Sequence, residues 1–303
     1  MQSYHGKLLL FGEHTILKGS QALALPLPHY EGRWAYTSGA IPAHLNLENF
    51  LSYLQKLARK EGLLTELQLA AFEREVNKGL FFESDIPVGY GAGSSGALCA
   101  AVYERFAVNP IAREEENHYV LLKQQLAQLE GFFHGSSSGT DPLICYLGQA
   151  VLLFPDGHAH HRLSPAAKRR KEGQFFLLDT GISRKTGPLV ELFLKKCGTE
   201  AYASAIRSEL LPATQAAIDS YLAADSRGLQ AATTQISTLQ LAHFREMIPK
   251  EHIGVWENGL KSKAYALKLC GAGGGGFILG YTLDTAEATA QLGPMAPIFL
   301  EKI

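Results

Sequence analysis

The run at residues 87–97, Pro-Val-Gly-Tyr-Gly-Ala-Gly-Ser-Ser-Gly-Ala, constrains the fold of this chain more than any other segment. It holds three alternating glycines and two serines: Gly89, Gly91, Gly93, Ser94 and Ser95. Glycines let the backbone approach a bulky anion without Cβ clashes. The alanine-rich pattern that follows predicts a helix over 94–106, and a helix start offers N–H groups and partial positive charge. We expect this segment, the glycine–serine loop, to cradle phosphates, with a serine hydroxyl available to Mg²⁺.

Length and charge limit the remaining classes. At 303 residues the chain exceeds one usual core, so we expect two domains, 1–165 and 166–303, divided where the composition turns polar and basic. The 28 basic and 29 acidic residues nearly cancel, which argues against nucleic acid or an anionic membrane as partner. Four scattered cysteines, with no signal-peptide pattern and no bilayer-long apolar run, predict a cytoplasmic protein with reduced thiols.

Hydrophobic periodicity predicts a mixture of helices and strands. A buried strand is expected at 7–13, and further strands are expected at 80–83, 150–154, 175–179 and 264–269. Helices are expected at 46–60, 114–133, 188–196, 200–223 and 227–247. Residues 134–141 are polar and glycine-bearing, and they predict a loop.

Several polar and charged residues are candidates for catalysis or metal binding, although each also has a purely structural explanation. Lys7 enters a buried strand and places a fixed positive charge beside a core, but a snorkelling lysine at a strand end fits too. Glu13 and His14 follow that strand and are surface candidates. Glu130 lies near the core face of its helix and suits Mg²⁺ as a hard oxygen ligand. Asp141 is a candidate general base, but its side chain could instead form an Asx turn before the proline that follows.

A second glycine run, residues 271–276, is flanked by apolar segments that predict strands. Such a run forfeits much backbone entropy, which suggests close approach either to a ligand or to another backbone. A flexible linker is less consistent with the apolar flanks.

Together these segments resemble the GHMP kinases, and within them the mevalonate kinases most. The resemblance is carried by GKLLLFGEHTILKG at 6–19, ALALPL at 22–27, PVGYGAGSSGA at 87–97, HGSSSGTD at 134–141 and GAGGGGF at 271–277. It implies an α+β fold with two domains, the first like ribosomal protein S5 and the second ferredoxin-like. It also implies phosphorylation of a small alcohol by ATP with Mg²⁺, in isoprenoid biosynthesis if the acceptor is mevalonate.

The resemblance also implies roles for individual residues. The phosphates would contact Gly89, Gly91, Gly93, Ser94, Ser95, Gly273 and Gly274. Mg²⁺ would be held by Ser95 and Glu130, and Asp141 would accept the hydroxyl proton beside Lys7. The acceptor would contact Glu13, His14, Arg184 and Thr186.

Two alternatives remain open at this point. The acceptor could be another small alcohol, such as phosphomevalonate, a sugar or a hydroxy amino acid. The chain could also be a catalytically silent ligand-binding member of the same fold. A homodimer is open as well.

Overall fold

The computed structural model describes residues 2–39, 47–60, 62–160, 172–184 and 186–300. The strands of these residues are β1 (Ser3–Phe11), β2 (Ala22–Tyr36), β3 (Leu80–Ser84), β4 (Val151–Leu153), β5 (Ala159–His160), β6 (Gln174–Asp179), β7 (Ala266–Leu269), β8 (Phe277–Thr282) and β9 (Ile298–Phe299). The helices are α1 (Glu48–Lys60), α2 (Leu69–Asn77), α3 (Ser94–Phe106), α4 (Tyr119–His134), α5 (Thr140–Leu147), α6 (Thr186–Lys196), α7 (Glu200–Ala205), α8 (Leu211–Leu222), α9 (Ser226–His243), α10 (Ile253–Ser262) and α11 (Thr285–Leu292). The predicted α+β class is confirmed.

The described chain divides into two compact units built from interleaved segments. Unit 1 contains Met1–Lys7, Pro26–Pro87 and Ala92–Gln149. Unit 2 contains Leu8–Leu25, Val88–Gly91 and Ala150–Ile303. The domain boundary predicted between residues 165 and 166 lies outside the described residues and stays a prediction.

The first sheet has the strand order β1-β2-β4-β5, with β3 also paired to β2. In unit 1 the end of β2 pairs antiparallel with β3, from Gly32 opposite Ser84 to Tyr36 opposite Leu80. In unit 2 the start of β2 pairs antiparallel with β4, which forms a hairpin with β5.

Unit 1 is built around α3, which packs against α5 and α4. The small residues that predicted this helix, Ala97, Ala100 and Ala101, are fully buried. Gly96 allows a close approach of α3 to α5, because a Cβ there would lie 2.9 Å from the carbonyl carbon of Asp141. The first turns of the two helices are therefore in backbone contact, which places Asp141 beside the start of α3.

Unit 2 contains an antiparallel sheet of order β7-β8-β6-β9. Its strands are mainly apolar, and β7 and β8 are buried along their whole length. This pattern is typical of strands covered on both faces. Helices α8 and α9 pack on each other, and α9 also packs on β7.

Two local predictions differ from the structure. The predicted helix over 200–223 is interrupted by a π-helical turn at Ile206–Leu210. Pro212 follows, and a proline removes an N–H and crowds the carbonyl four residues earlier, which disturbs the α-helical ladder. Asp141 was predicted in a loop but lies in the first turn of α5. A proline at residue 142 is compatible with that helix because the first turn needs no N–H from it.

Among the described residues, no helix combines the length and the apolar composition that crossing a membrane requires.

Candidate functional site

The glycine–serine loop ends at the start of α3, as predicted. Gly93 is the residue before the helix and has a left-handed conformation, with φ of 86°. A Cβ at this position would lie 2.8 Å from Lys7 Cγ. No side chain caps α3, so its first N–H groups have no side-chain acceptor. Ser94 and Ser95 form the first turn of this uncapped helix.

The Ser95 hydroxyl lies against a buried carboxylate. Ser95 Oγ donates to Glu130 Oε1 over 3.0 Å and lies 3.1 Å from His134 Nε2. Ser137 Oγ donates to the other oxygen, Glu130 Oε2. The carboxylate is therefore held from both sides by hydroxyl groups, and one of them belongs to the first turn of α3.

Burial raises the pKa of Glu130. Glu130 is only 3% exposed, and the loss of solvent around its carboxylate disfavours the charged form. The negative charge of Asp141 raises the pKa further, whereas the hydrogen bonds from Ser137 and Ser95 lower it. A carboxylate whose ionised form is costly to bury is one that a cation would stabilise.

Lys7 and Asp141 form an ion pair in the same unit. Lys7 Nζ lies 2.8 Å from Asp141 Oδ1, and the lysine is buried while the aspartate is partly exposed. The Lys7 N–H donates to Ala92 O over 2.7 Å, which fixes the strand residue against the glycine–serine loop. Of the two explanations that the sequence left open for Lys7, an exposed snorkelling lysine does not fit this geometry.

The donor set of unit 1 fits Mg²⁺. Ser95 Oγ and Glu130 Oε1 are hard oxygen atoms 3.0 Å apart, and Mg²⁺ prefers one or two carboxylates combined with substrate phosphates and waters. The described residues contain no group of three or more His, Cys, Asp or Glu side chains that could hold a metal by themselves. Any Mg²⁺ here would thus need further oxygen ligands, such as those of a nucleotide.

Glu13 and its partners form a second cluster, in unit 2. Glu13 Oε1 lies 2.9 Å from Lys268 Nζ, which is fully buried, and accepts from Gln240 Nε2 over 2.6 Å. Lys268 also donates to Leu269 O, and Gln240 Oε1 accepts from Leu269 N. Burial raises the pKa of Glu13, and Lys268 opposes that shift. Glu13 is therefore part of a buried network rather than a surface group.

His14 is buried next to Glu13 and has an unusual backbone, with φ of 62°. Its ring lies 4.9 Å from Phe193 and 5.5 Å from Phe244, centroid to centroid. Burial lowers the pKa of His14 to about 4, so the ring is neutral at pH 7. Nε2 donates to Ala272 O over 3.1 Å, and Nδ1 is buried without a hydrogen-bond partner among the described residues. This nitrogen is left as an acceptor.

The second glycine run packs closely against other parts of the backbone of unit 2. Gly274 N donates to Met247 O over 2.6 Å, and Gly276 N donates to Ile182 O over 2.7 Å. The approach to another backbone, one of two explanations from the sequence, is thus present. Contact of Gly273 and Gly274 with a nucleotide stays a prediction.

Arg184 lies beside the same run. Its guanidinium donates to Gly273 O over 3.2 Å and to Cys270 O over 3.0 Å. The side chain of Thr186, the other residue predicted from this segment, lies outside the described part of the chain.

Two participants in the Glu13 cluster were missed from the sequence, Lys268 and Gln240. A signal for Lys268 existed, because a single lysine within an apolar strand pattern is almost never buried without a partner. Nothing in the local pattern points to Gln240, which lies on α9 far along the chain from Glu13.

Comparison with known proteins agrees with this architecture. Residues 52–149 match the model of the family described as GHMP kinases N terminal domain. Crystal structures match over nearly the whole chain. The L. major mevalonate kinase in complex with R-mevalonate has a TM-score of 0.63 and 15% identity, covering 99% of this chain and 95% of that one. The chain has the GHMP kinase fold.

Other members of the GHMP kinase fold match this chain equally well. The Lactococcus lactis galactokinase complexed with galactose has a TM-score of 0.67 and 14% identity, covering 99% of this chain and 92% of that one. Fold alone therefore does not choose an acceptor.

A curated sequence relative is named mevalonate kinase. This protein, from Archaeoglobus fulgidus, is 27% identical over 192 residues, which are 61% of this chain. The match spans about 60% of the length of that relative. The resemblance to the GHMP kinases that the motifs predicted is confirmed.

Proposed function

We propose that this chain catalyses ATP-dependent phosphorylation of the hydroxyl group of a small acceptor, and that the acceptor is mevalonate. The observation that carries the proposal is the 2.8 Å pair of Lys7 and Asp141 next to the uncapped start of α3. The motif agreement and the curated mevalonate kinase relative support the choice of acceptor.

Asp141 is the residue positioned to accept the proton of the acceptor hydroxyl. A carboxylate is a weak base toward an alcohol, so it takes the proton late, as the bond to phosphorus forms. Lys7 holds the carboxylate oxygen in place and supplies positive charge to the transferring phosphoryl group. Because phosphoryl transfer is loose, charge stabilisation and alignment contribute most of the acceleration.

Gly93, Ser94 and Ser95 would bind phosphate oxygens through the N–H groups at the start of α3. Ser95 and Glu130 would hold Mg²⁺, which when bound neutralises phosphate charge. Glu130 is kept in position for this by Ser137. The contacts of the phosphates with Gly89 and Gly91, and of the acceptor with Glu13, His14, Arg184 and Thr186, stay predictions from the family resemblance.

A coupled ADP-release assay with several acceptors tests the proposal. We expect Mg²⁺-dependent ADP release with mevalonate, well above the rates with phosphomevalonate, galactose and homoserine. Preference for another of these alcohols would keep the kinase and replace the acceptor. No ADP release with any of them, in a protein that still binds an ATP analogue, would favour the silent ligand-binding alternative.

A further inference from the structure

Arg184 links two glycine-rich segments of unit 2. Its Nη1 donates to Gly273 O over 3.2 Å, and its Nη2 lies 3.0 Å from Cys270 O and 3.5 Å from Tyr90 O. The backbone of Arg184 takes part too, because its N–H donates to Gly89 O over 3.0 Å. One residue thus contacts both the 88–91 part of the glycine–serine loop and the residues at the start of the second glycine run.

The guanidinium occupies the space that side chains would need at two of these glycines. A Cβ on Gly91 would collide with Arg184 Nη2, and a Cβ on Gly271 would lie 2.8 Å from the same atom. Both glycines have positive φ, 69° and 73°. The Arg184 side chain therefore requires glycine at both positions, whether or not these residues also contact a ligand.

Arginine suits this arrangement in a way that lysine does not. The guanidinium is planar and presents five N–H donors in a fixed fork, so it can bind carbonyl groups on separate segments at once. The lysine ammonium is a compact, strongly hydrated charge on a flexible stem. The contacts of Arg184 with backbone carbonyls therefore depend on the shape of the guanidinium as well as on its charge.

We propose that Arg184 is a positioning residue that clamps residues 89–91 to the 270–273 segment and so sets the conformation of that part of the glycine–serine loop. The clamp itself stands on the contacts in unit 2. Its effect on phosphate binding rests on the proposed function. The clamp is distinct from the acceptor contact that the family resemblance implies for this residue.

Hydrogen exchange in Arg184→Lys tests the clamp without any need for turnover. The amides of Arg184, Gly274 and Gly276 are bonded to backbone carbonyls and serve as reporters. We expect at least the Arg184 and Gly274 amides to exchange roughly tenfold faster in the variant, because local opening becomes easier. Arg207→Lys is the matched control, since Arg207 is an exposed arginine of unit 2 paired with Glu200. Unchanged exchange in Arg184→Lys would overturn the clamp.

A double-mutant cycle gives an independent measurement. Gly91→Ala should lower the urea midpoint in the wild-type protein through backbone strain and through collision with the guanidinium. In the Arg184→Ala background only the strain remains, so the shift should fall to roughly half or less, as expected for residues in contact. Additive shifts would contradict the clamp.

Kinetics then separate the clamp from the proposed function. If the clamp acts on the phosphate cradle, Arg184→Lys raises KM for ATP several-fold more than KM for the acceptor. A rise in the acceptor KM alone, with unchanged exchange, supports acceptor contact and contradicts the clamp. Faster exchange in a chain that releases no ADP with any acceptor leaves the clamp in place and rejects the proposed function.

Discussion

Lys7 Nζ lies 2.8 Å from Asp141 Oδ1, and the two side chains differ in exposure, 9% for the lysine and 36% for the aspartate. The buried ammonium group therefore has its counter-charge on the solvent side of the pair. Desolvating an ammonium is costly unless it is paired and hydrogen-bonded. The exposed part of Asp141 remains accessible to solvent, as its proposed role as a base requires.

Replacing the proposed proton acceptor should abolish most turnover. Asp141→Asn keeps the size of the side chain but removes the base, so we expect kcat to fall by on the order of a hundredfold or more. Binding of an ATP analogue, measured by calorimetry, should persist. Asp219→Asn, at an exposed aspartate that accepts from Gln215, is the control and should leave kcat unchanged. Near-normal kcat in Asp141→Asn would refute the assignment of the base.

Removing the buried positive charge should be about as damaging. Lys7→Met keeps an unbranched chain of similar length but cannot stabilise developing phosphoryl charge. We expect kcat to fall on the order of a hundredfold to a thousandfold, as for other preorganised electrostatic groups. Lys78→Met removes an exposed lysine paired with Glu75 and should change kcat little. A Lys7→Met enzyme that keeps more than about half of its kcat would remove Lys7 from the mechanism.

Glu130→Gln should weaken the dependence on Mg²⁺. The amide oxygen can still accept from one of the two serine hydroxyls while the amide NH2 donates to the other, but the side chain lacks the charge that a hard cation prefers. We expect a higher Mg²⁺ concentration for half-maximal rate and a weaker metal signal in calorimetry with an ATP analogue. Glu257→Gln, at an exposed glutamate paired with Arg245, is the control. An unchanged metal titration would exclude Glu130 as a ligand.

His14 should make stability pH-dependent. Its pKa is lowered from 6.5 to about 4, so the folded state binds fewer protons than the unfolded state between these values. The contribution of neutral His14 to the free energy of unfolding is fully present above pH 6.5. It falls by about 3 kcal/mol as the pH drops toward 4. His14→Asn should remove this slope, since asparagine tolerates a positive φ. Urea unfolding at several pH values measures it. Equal slopes in both proteins would contradict the assignment.

Gly93 should be intolerant of any side chain. Gly93→Ala places a methyl group 2.8 Å from Lys7 Cγ at a φ of 86°, so we expect lower stability, by about 1–3 kcal/mol, together with lower kcat. Gly148→Ala separates the two effects, because Gly148 has a φ of 62° and open space around its Cα. It should show the loss of stability alone. Equal kcat values in the two variants would mean that the contact with Lys7 does not matter.

Local patterns gave the elements that carry the site. The helix predicted over 94–106 is α3, and the predicted strand from residue 80 is β3, because small or alternating apolar residues set these elements without distant help. The placement of Lys7 near Asp141 could only be inferred from family resemblance, since the two lie far apart in the chain.

The buried network around Glu13 could not be predicted from local sequence patterns. Glu13, Gln240 and Lys268 come from three separate segments, and their hydrogen bonds form only after α9 and β7 pack together. Periodicity describes one element at a time, so it cannot reveal which polar residues will meet. The start of the short helix α5 at Thr140 was missed for a different, local reason: the glycine before it takes a left-handed conformation and the helix begins there.

Gly96 limits which variants of this chain can be used to test the proposed activity. A Cβ there would lie 2.9 Å from both the carbonyl carbon of Asp141 and the nitrogen of Pro142. Any larger residue at position 96 would push α3 and α5 apart. A library of variants should therefore keep glycine at position 96, because other residues there would disturb the packing of α3 on α5 whatever their effect on the proposed site.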